Sequence, residues 1–384
     1  MSYFGNIKKA FKLKHYINYI VVAAALVLFT VLYEIGALRR SDLSLLLQAG
    51  YSMVLAVSLN LVVGFLGELS LGHAGFMCVG AYLGSYVGIQ LSAVIPNKTV
   101  VLLLSMLVGG LLAAVFGLII GLPALRLKGD YLAIVTLAFG EIVRTVFKNI
   151  PIFGGAIGLN SSSIQYGKSL FIVAFLVVLF TLFISQNLIR SKHGRAVTAI
   201  RDNEIAARAM GINVTYYKLL IFVVAAFFAG IAGVLYGASV NPISYKAFDY
   251  NYSIEILVMV VLGGMGNISG SMIAATLLTF INVKLTALGG DLAAIKYLIY
   301  ALILIIMVMF NNAPMFKGLR EKVFGLLDFS KLKKKAARPE VIKDDKANWT
   351  QIPTKIKMDA VLSTDITADD TFEPDKPQKG GEDR

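Results

Sequence analysis

Residues 100–122 read VVLLLSMLVGGLLAAVFGLIIGL, a run without a single charged side chain. A helix of about twenty apolar residues crosses the hydrocarbon core of a bilayer. The run therefore predicts a transmembrane helix, and similar runs recur on both sides of it. We expect an all-α protein, a polytopic bundle of helices within a membrane.

The composition of the whole chain agrees with this class. It is 57% apolar and 15% charged, whereas soluble domains are about 45–50% apolar and about 25% charged. The single cysteine, Cys78, excludes an internal disulfide framework or a thiolate metal site. The net charge of +13 comes from Lys and Arg gathered in loops and terminal segments. This is the pattern of cytoplasmic loops in membrane proteins, and it argues against nucleic acid as the partner.

About ten spans are predicted, and their loop charges place both termini in the cytoplasm. The basic segment 1–16 precedes a transmembrane domain, 17–312, and a basic and then acidic tail, 313–384, which is too polar to fold. The predicted spans are Ile17–Ile35, Leu43–Phe65, His73–Leu91, Val100–Leu122, Tyr131–Lys148, Ser169–Asn187, Tyr217–Val240, Tyr252–Leu262, Ser271–Leu288 and Leu292–Phe310.

One inward loop, 188–216, contains RSKHGRAVTAIRDNEIAARAMGI at 190–212 and is too polar to cross the membrane. Asp202 and Asn203 can cap a short helix that has Glu204 in its first turn and Gly211 at its end. Ala206, Ala207, Ala209 and Met210 would give that helix a small, smooth surface. Arg195, Arg201 and Arg208 supply positive charge around it. The segment either docks in the groove of a partner protein or lies on the membrane with its arginines at anionic lipid.

Two stretches echo each other, VVGFLGELS at 62–70 and VLGGMGNIS at 261–269. Transporters often contain repeated halves whose interrupted helices meet at the substrate path, but glycines of this kind also permit close helix packing. Both interpretations stay open. The substrate-path candidates are Asn60, Gly64, Gly67, Ser70, Gly263, Gly264, Gly266 and Asn267.

Few ionisable residues fall inside the predicted spans. Glu141 and Arg144 lie three apart on one helical face and are expected to form a structural ion pair. Proton coupling by Glu141 is the alternative, although a neighbouring guanidinium favours the charged carboxylate. His73 is expected to begin a helix and to bond to the backbone. No phosphate-binding loop, metal-ligand spacing or catalytic set is found, so neither a cofactor nor a metal nor an enzymatic activity is expected.

Four blocks occur in order and together resemble one transporter family. They are LNLVVGFLGELSLGHAGFMCVGAY at 59–82, LPALRLKGDYLAIVTLAFGEIVR at 122–144, AIRDNEIAARAMGI at 199–212 and VVLGGMGNISG at 260–270. They are similar to the M-type (LivM-like) permease family of ATP-binding cassette (ABC) importers for branched-chain amino acids. The helix at 204–211 resembles the loop with which such permeases dock on their ATPases.

The resemblance implies a bacterial inner-membrane permease subunit that takes branched-chain or other small amino acids from an external binding protein. It also implies two cytoplasmic ATPases that bind the ATP, and a second permease, either the related H-type or another copy of this chain. Relatives for urea or short amides give an alternative cargo. An ion-gradient carrier that uses Glu141 is the rival from another class of transporter.

Overall fold

The computed structural model describes residues 17–127, 129–167, 169–288 and 302. The described part is helical, and in it the only extended pairing is an isolated bridge between Leu159 and Ile243. In chain order the helices are α1 Ile17–Glu34, α2 Arg40–Asn60, α3 His73–Val79, α4 Ser85–Ser92, α5 Lys98–Ala124, α6 Asp130–Asn149, α7 Leu170–Arg190, α8 Lys192–Asp202, α9 Glu204–Ala209, α10 Val214–Gly237, α11 Tyr250–Gly263 and α12 Ile268–Leu288.

Six helical stretches in this part are long and apolar enough to cross a membrane. They are Arg40–Leu66, His73–Ser92, Lys98–Ala124, Leu170–Arg190, Val214–Gly237 and Ile268–Thr286. Two further apolar helices, Asn18–Glu34 and Tyr250–Gly263, are shorter. The membrane bundle is confirmed, and the count of ten spans stays a prediction. The segment 1–16, the tenth span apart from residue 302, and the tail lie outside the described residues.

Small residues bring the central helix α10 against its neighbours. A β-carbon built on Gly80 would lie 2.1 Å from the carbonyl oxygen of Gly230. One built on Gly233 would lie 2.1 Å from the carbonyl oxygen of Met77. Lipid is as apolar as the side chains, so close van der Waals packing of this kind holds membrane helices together.

The loops gather at two ends of the bundle. At one end, the loop 191–213 contacts the residues that follow α2, since Arg201 bonds to Gly64. The residues that join α11 to α12 lie at the same end, since the Gly266 amide bonds to Asn60. At the other end, Leu159 pairs with Ile243. We call these the coupling end and the far end. Successive long helices run between them in alternating directions.

The chain is not helical between residues 67 and 72, after α2 ends in a π-helical turn, Leu61–Leu66. Irregular backbone inside a membrane protein must be shielded from lipid and must find hydrogen-bond partners. Ser70 and Gly72 are buried, whereas Gly67 is exposed at the coupling end. Two backbone amides in and just after the stretch find side-chain acceptors. The Leu71 amide donates to Thr136 Oγ1 (3.0 Å), and the Ala74 amide donates to Ser253 Oγ (3.2 Å). We call residues 67–72 the broken stretch.

Candidate coupling site

The loop 191–213 folds into two short helices, each with a side-chain cap. Ser191 Oγ accepts from the amides of His193 and Gly194 before α8. Asn203 Oδ1 accepts from the Ala206 amide (3.0 Å) before α9. The prediction that Asp202 would share the cap of α9 is wrong, because Asp202 ends α8 and its carboxylate pairs with Arg201 at 3.0 Å. Gly211 follows α9 with φ of +81°, as predicted for the residue that ends it.

A network of charges connects α9 to the membrane helices. Arg208 lies 2.9 Å from one Glu204 oxygen, and the ammonium of Lys218 on α10 lies 3.3 Å from the other. Lys218 also lies 2.5 Å from Glu68 Oε1 in the broken stretch. Its side chain is only 4% exposed. A buried cation is stable only when it is paired, so Lys218 fixes both carboxylates at the base of the loop.

Arg201, near the end of α8, makes a second connection to the broken stretch. Its Nη1 donates to the carbonyl oxygen of Gly64 (3.2 Å). Its aliphatic stem crosses Gly67, where a β-carbon would lie 2.7 Å from Arg201 Cγ. Gly67 also has φ of +80°, a conformation that residues with a β-carbon adopt at a cost. Both the close contact with Arg201 and the positive φ therefore require glycine at position 67.

The outer face of α9 is apolar and uncovered. Ile205 is 79% exposed and Met210 is 83% exposed, and Ala206 lies between them, also exposed. Ala207 points the other way and is 4% exposed. We call Ile205, Ala206 and Met210 the apolar tip. Arg195, on the preceding helix, is exposed as well.

The two echoing stretches meet each other beside this site. Asn60 is fully buried, accepts from the Gly266 amide (2.8 Å) and donates to Ser271 Oγ (2.9 Å). A β-carbon on Gly64 would lie 2.2 Å from the Gly266 nitrogen. This geometry matches the close-packing interpretation of the echo.

The comparisons with known proteins decide the family. Residues 42–308, more than half of the chain, match the family described as the permease component of the branched-chain amino acid transport system. This chain belongs to that family. The apolar helices and the permease relatives together identify a multi-pass protein of the inner membrane.

Individual relatives agree. The branched-chain amino acid permease LivM of Salmonella typhimurium is 37% identical over 262 residues, 59% of each chain. The probable LivM of Methanocaldococcus jannaschii is 29% identical over 62% of this chain and 79% of its own. The ribose import permease RbsC of Escherichia coli is 26% identical over 70% of this chain and 84% of its own. This permease thus spans about 59% of the length of the first of these relatives. No solved structure matches it.

The remaining substrate-path candidates of this permease lie where α11 joins α12, apart from Ser70 in the broken stretch. Gly263 lies against Gly270, because a β-carbon on Gly270 would meet the carbonyl oxygen of Gly263. Asn267 accepts from the Gly270 amide at 3.3 Å. Gly264 has φ of +89° at the end of α11. The Ser70 hydroxyl is buried and has no hydrogen-bond partner in the described part of the chain.

Two predictions about single ionisable residues have clear outcomes. Glu141 and Arg144 form the predicted ion pair at 2.7 Å, and Glu141 Oε1 also accepts from the Tyr250 amide (3.0 Å) at the start of α11. His73 begins α3 as expected, but the predicted bond to the backbone is wrong. Its Nε2 lies 2.8 Å from the hydroxyl of Ser58, a side chain.

Two functional candidates, Lys218 and Ile205, were not singled out from the sequence. Lys218 seemed to be part of an apolar span, and its partner Glu68 lies 150 positions away in the chain. Met210 was predicted as part of the surface of α9, whereas Ile205 was not. The available signal for a contact surface was a large apolar residue that directly follows a capping Asn and a Glu. It lies in a loop too polar to cross the membrane.

Proposed function

We propose that this chain is the membrane-spanning permease subunit of an ABC importer for branched-chain or other small amino acids. It would have no catalytic residues and no bound cofactor of its own. ATP would be bound and hydrolysed by two cytoplasmic ATPase subunits. A second permease, of the H-type or another copy of this chain, would complete the pathway, and an external binding protein would deliver the solute.

The observation that carries this proposal is the apolar tip on a polar loop. Large apolar side chains exposed in a loop that cannot enter the bilayer core favour a protein partner over water. Ile205 is exposed on α9 and Met210 directly follows that helix, whose other residues include Glu204 and Arg208. A groove on an ATPase subunit is the partner surface that we propose for it. The alternative of a lipid-facing linker is less well supported, because Arg201 is engaged with Gly64 and Asp202.

The route by which a force on α9 would reach the membrane follows from the contacts. Glu204 is held by Lys218 at the base of α10, and the same ammonium holds Glu68. Arg201 ties α8 to the turn before the broken stretch. A displacement of α8 and α9 by a closing ATPase would therefore act on α10 and on the broken stretch together. In this scheme, alternating access requires movement of both α10 and the broken stretch.

Orientation and domain limits are part of the same proposal. The coupling end faces the cytoplasm, and the far end faces outward. The loop 188–216 is the coupling element of a permease domain that covers 17–312, flanked by the cytoplasmic segments 1–16 and 313–384. The excess of Lys and Arg in the loop and the flanking segments supports this orientation.

Reconstitution tests the proposal. The chain is purified together with the ATPases, second permease and binding protein encoded by the neighbouring genes, and leucine uptake into vesicles is measured with and without ATP. We expect uptake that requires ATP and persists in the presence of an uncoupler. Urea and ribose are assayed in parallel, since the family resemblance and RbsC indicate other solutes. Uptake by the chain alone on an ion gradient would refute the proposal.

The contact between α9 and the ATPase subunits is tested by placing a charge on the apolar tip. Ile205→Glu and Met210→Glu should abolish co-purification of the ATPase subunits, because a carboxylate would be buried in an apolar groove. Val94→Glu is the matched control: Val94 is also 79% exposed but lies after α4 at the far end. Association of both tip variants at the wild-type level would remove α9 from the interface.

A further inference from the structure

Helix α6 is long enough to cross the membrane but carries four charged residues. Its 20 residues extend about 30 Å, yet it is not among the six stretches that are apolar enough to be spans. The charged residues are Asp130, Glu141, Arg144 and Lys148. Their successive spacings of eleven, three and four residues place all four on one side of the helix. We call these four residues the charged stripe.

The opposite side of α6 packs against the span His73–Ser92, which fixes the depth of the charged stripe. Phe139 contacts Phe76 with ring centroids 5.1 Å apart, and Phe147 stacks on Tyr82 with centroids 4.8 Å apart. Phe76 and Tyr82 are both buried within that span. The ion pair of the charged stripe lies between Phe139 and Phe147 along the helix. The middle of the stripe is therefore at the depth of the bilayer.

The rest of this chain leaves the charged stripe partly uncovered. In the ion pair, the Arg144 and Glu141 side chains are 27% and 28% exposed. Lys148 is exposed and has no carboxylate partner among the described residues. Its ammonium lies 5.3 Å from the ring centroid of Tyr245, and the Arg144 guanidinium lies 6.0 Å from the same ring. Charged groups at this depth are costly in lipid and face the bundle interior or a water-filled space.

The exposed surface of α6 divides into a polar side and an apolar side. Ile142 and Val146 are 62% and 47% exposed and suit contact with lipid. On the polar side, Glu141 pairs with Arg144 at 2.7 Å and accepts from the Tyr250 amide at 3.0 Å. A pair of opposite charges keeps this side hydrated without a net charge that would trap a zwitterionic solute. Polar groups inside a membrane bundle mark solute pathways of this kind.

We propose that the charged stripe of α6 lines the water-filled path by which the solute crosses the permease. The side of α6 that holds Ile142 and Val146 faces lipid. The inference deepens the proposed function, on which it rests for the existence of a transported solute. It adds a wall to the path on a helix that holds none of the substrate-path candidates chosen from the sequence.

Cysteine labelling tests which side of α6 meets water. Cys78 is the only cysteine of the chain and is buried, so Cys78→Ala gives a background without thiols. Leu137→Cys places a thiol on the side of the charged stripe, one turn before Glu141. Val146→Cys places one nine residues later, two and a half turns on, and therefore on the opposite side. A charged methanethiosulfonate reagent reacts with the thiolate, which forms in water and not in lipid.

The measurement is the rate of modification in the complete complex, held in lipid nanodiscs without ATP. Nanodiscs expose both faces of the membrane, so the reagent enters a path that is open to either side. We expect Leu137→Cys to react at least about tenfold faster than Val146→Cys. Val146 is nearer to the far end, so depth alone predicts the opposite order. Equal rates, or faster reaction of Val146→Cys, would overturn the proposal.

Two further comparisons complete the labelling test. Leu137→Cys that reacts in the permease alone but is protected in the complex would show that another subunit covers the charged stripe, which also overturns the proposal. Thr145→Cys repeats the test if Leu137→Cys does not fold, because Thr145 is exposed and lies one turn after Glu141.

Uptake shows whether the water-filled space is the path of the solute. Modification of Leu137→Cys should lower ATP-driven leucine uptake at least about tenfold, and modification of Val146→Cys should leave uptake unchanged. Rapid modification of Leu137→Cys without loss of uptake would refute the path. The expected labelling order without any ATP-driven uptake would refute only the importer. ATP-driven uptake with the reverse labelling order would refute only this inference.

Discussion

The Lys218 ammonium lies 2.5 Å from Glu68 and 3.3 Å from Glu204, so one buried cation joins the coupling loop to the broken stretch. Replacing Lys218 by Met removes the cation that pairs with both carboxylates and leaves Glu68 without it, while Glu204 keeps its pair with Arg208. Breaking a buried pair costs about 3–5 kcal/mol. Since Glu68 and Glu204 keep some exposure, we expect the free energy of unfolding to fall by an amount near the lower limit of that range. Thermal unfolding in detergent measures it.

The double variant Lys218→Met with Glu68→Gln separates charge from packing. It should recover part of the stability, because the uncompensated carboxylate is gone. It should still transport poorly, because Glu204 is no longer tied to Glu68. An unchanged melting temperature for Lys218→Met alone would show that the pair does not stabilise the fold.

Gly64→Ala should damage the packing of the coupling end. The new β-carbon would lie 2.2 Å from the Gly266 nitrogen, and backbone cannot move aside as a flexible side chain can. Overpacking typically costs about 1–3 kcal/mol. Gly140→Ala is the matched control, since its β-carbon would find its nearest neighbour at 3.8 Å, an ordinary contact. Equal unfolding temperatures for the two variants would contradict the packing seen at Gly64.

Gly211→Val should disturb the end of α9 without a clash. Gly211 has φ of +81° and no atom within 4 Å of a built β-carbon. The left-handed conformation costs about 1–2 kcal/mol for a residue with a β-carbon. We expect weaker association with the ATPases and little change in the stability of the bundle. Gly211→Asn should associate with the ATPases nearly as the wild type does, because Asn tolerates this conformation. Equal loss of association in both variants would point to a different cause.

Glu141→Gln distinguishes an importer from an ion-gradient carrier. Glu141 pairs with Arg144 at 2.7 Å and caps α11 through the Tyr250 amide, two structural contacts. The Gln oxygen can still accept from that amide. ATP-dependent uptake should therefore stay within about twofold of wild type, a change of under 0.5 kcal/mol. Complete loss of uptake with normal folding would support proton coupling through Glu141.

The positions of the helices were predictable because lipid imposes a simple rule on sequence. The span predicted at Val100–Leu122 is observed within Lys98–Ala124, and the one at Tyr217–Val240 overlaps Val214–Gly237. Capping residues fixed α9 for the same local reason: Asn203 and Gly211 act on their immediate neighbours in the chain. Side-chain direction escaped prediction. Ala207 turned inward, and Ile205 and Met210 form the exposed tip.

The sequence by itself determined the class of protein, the positions of several of its membrane helices, the capped helix α9 and the family. Each of these depends on composition or on residues within a few positions of one another. Only the tertiary structure decided that Lys218 joins Glu68 to Glu204, that Asn60 holds Gly266, and that Phe139 packs on Phe76. These pairs are distant in the chain, and their contacts arise from the packing of helices against one another, which no local pattern encodes.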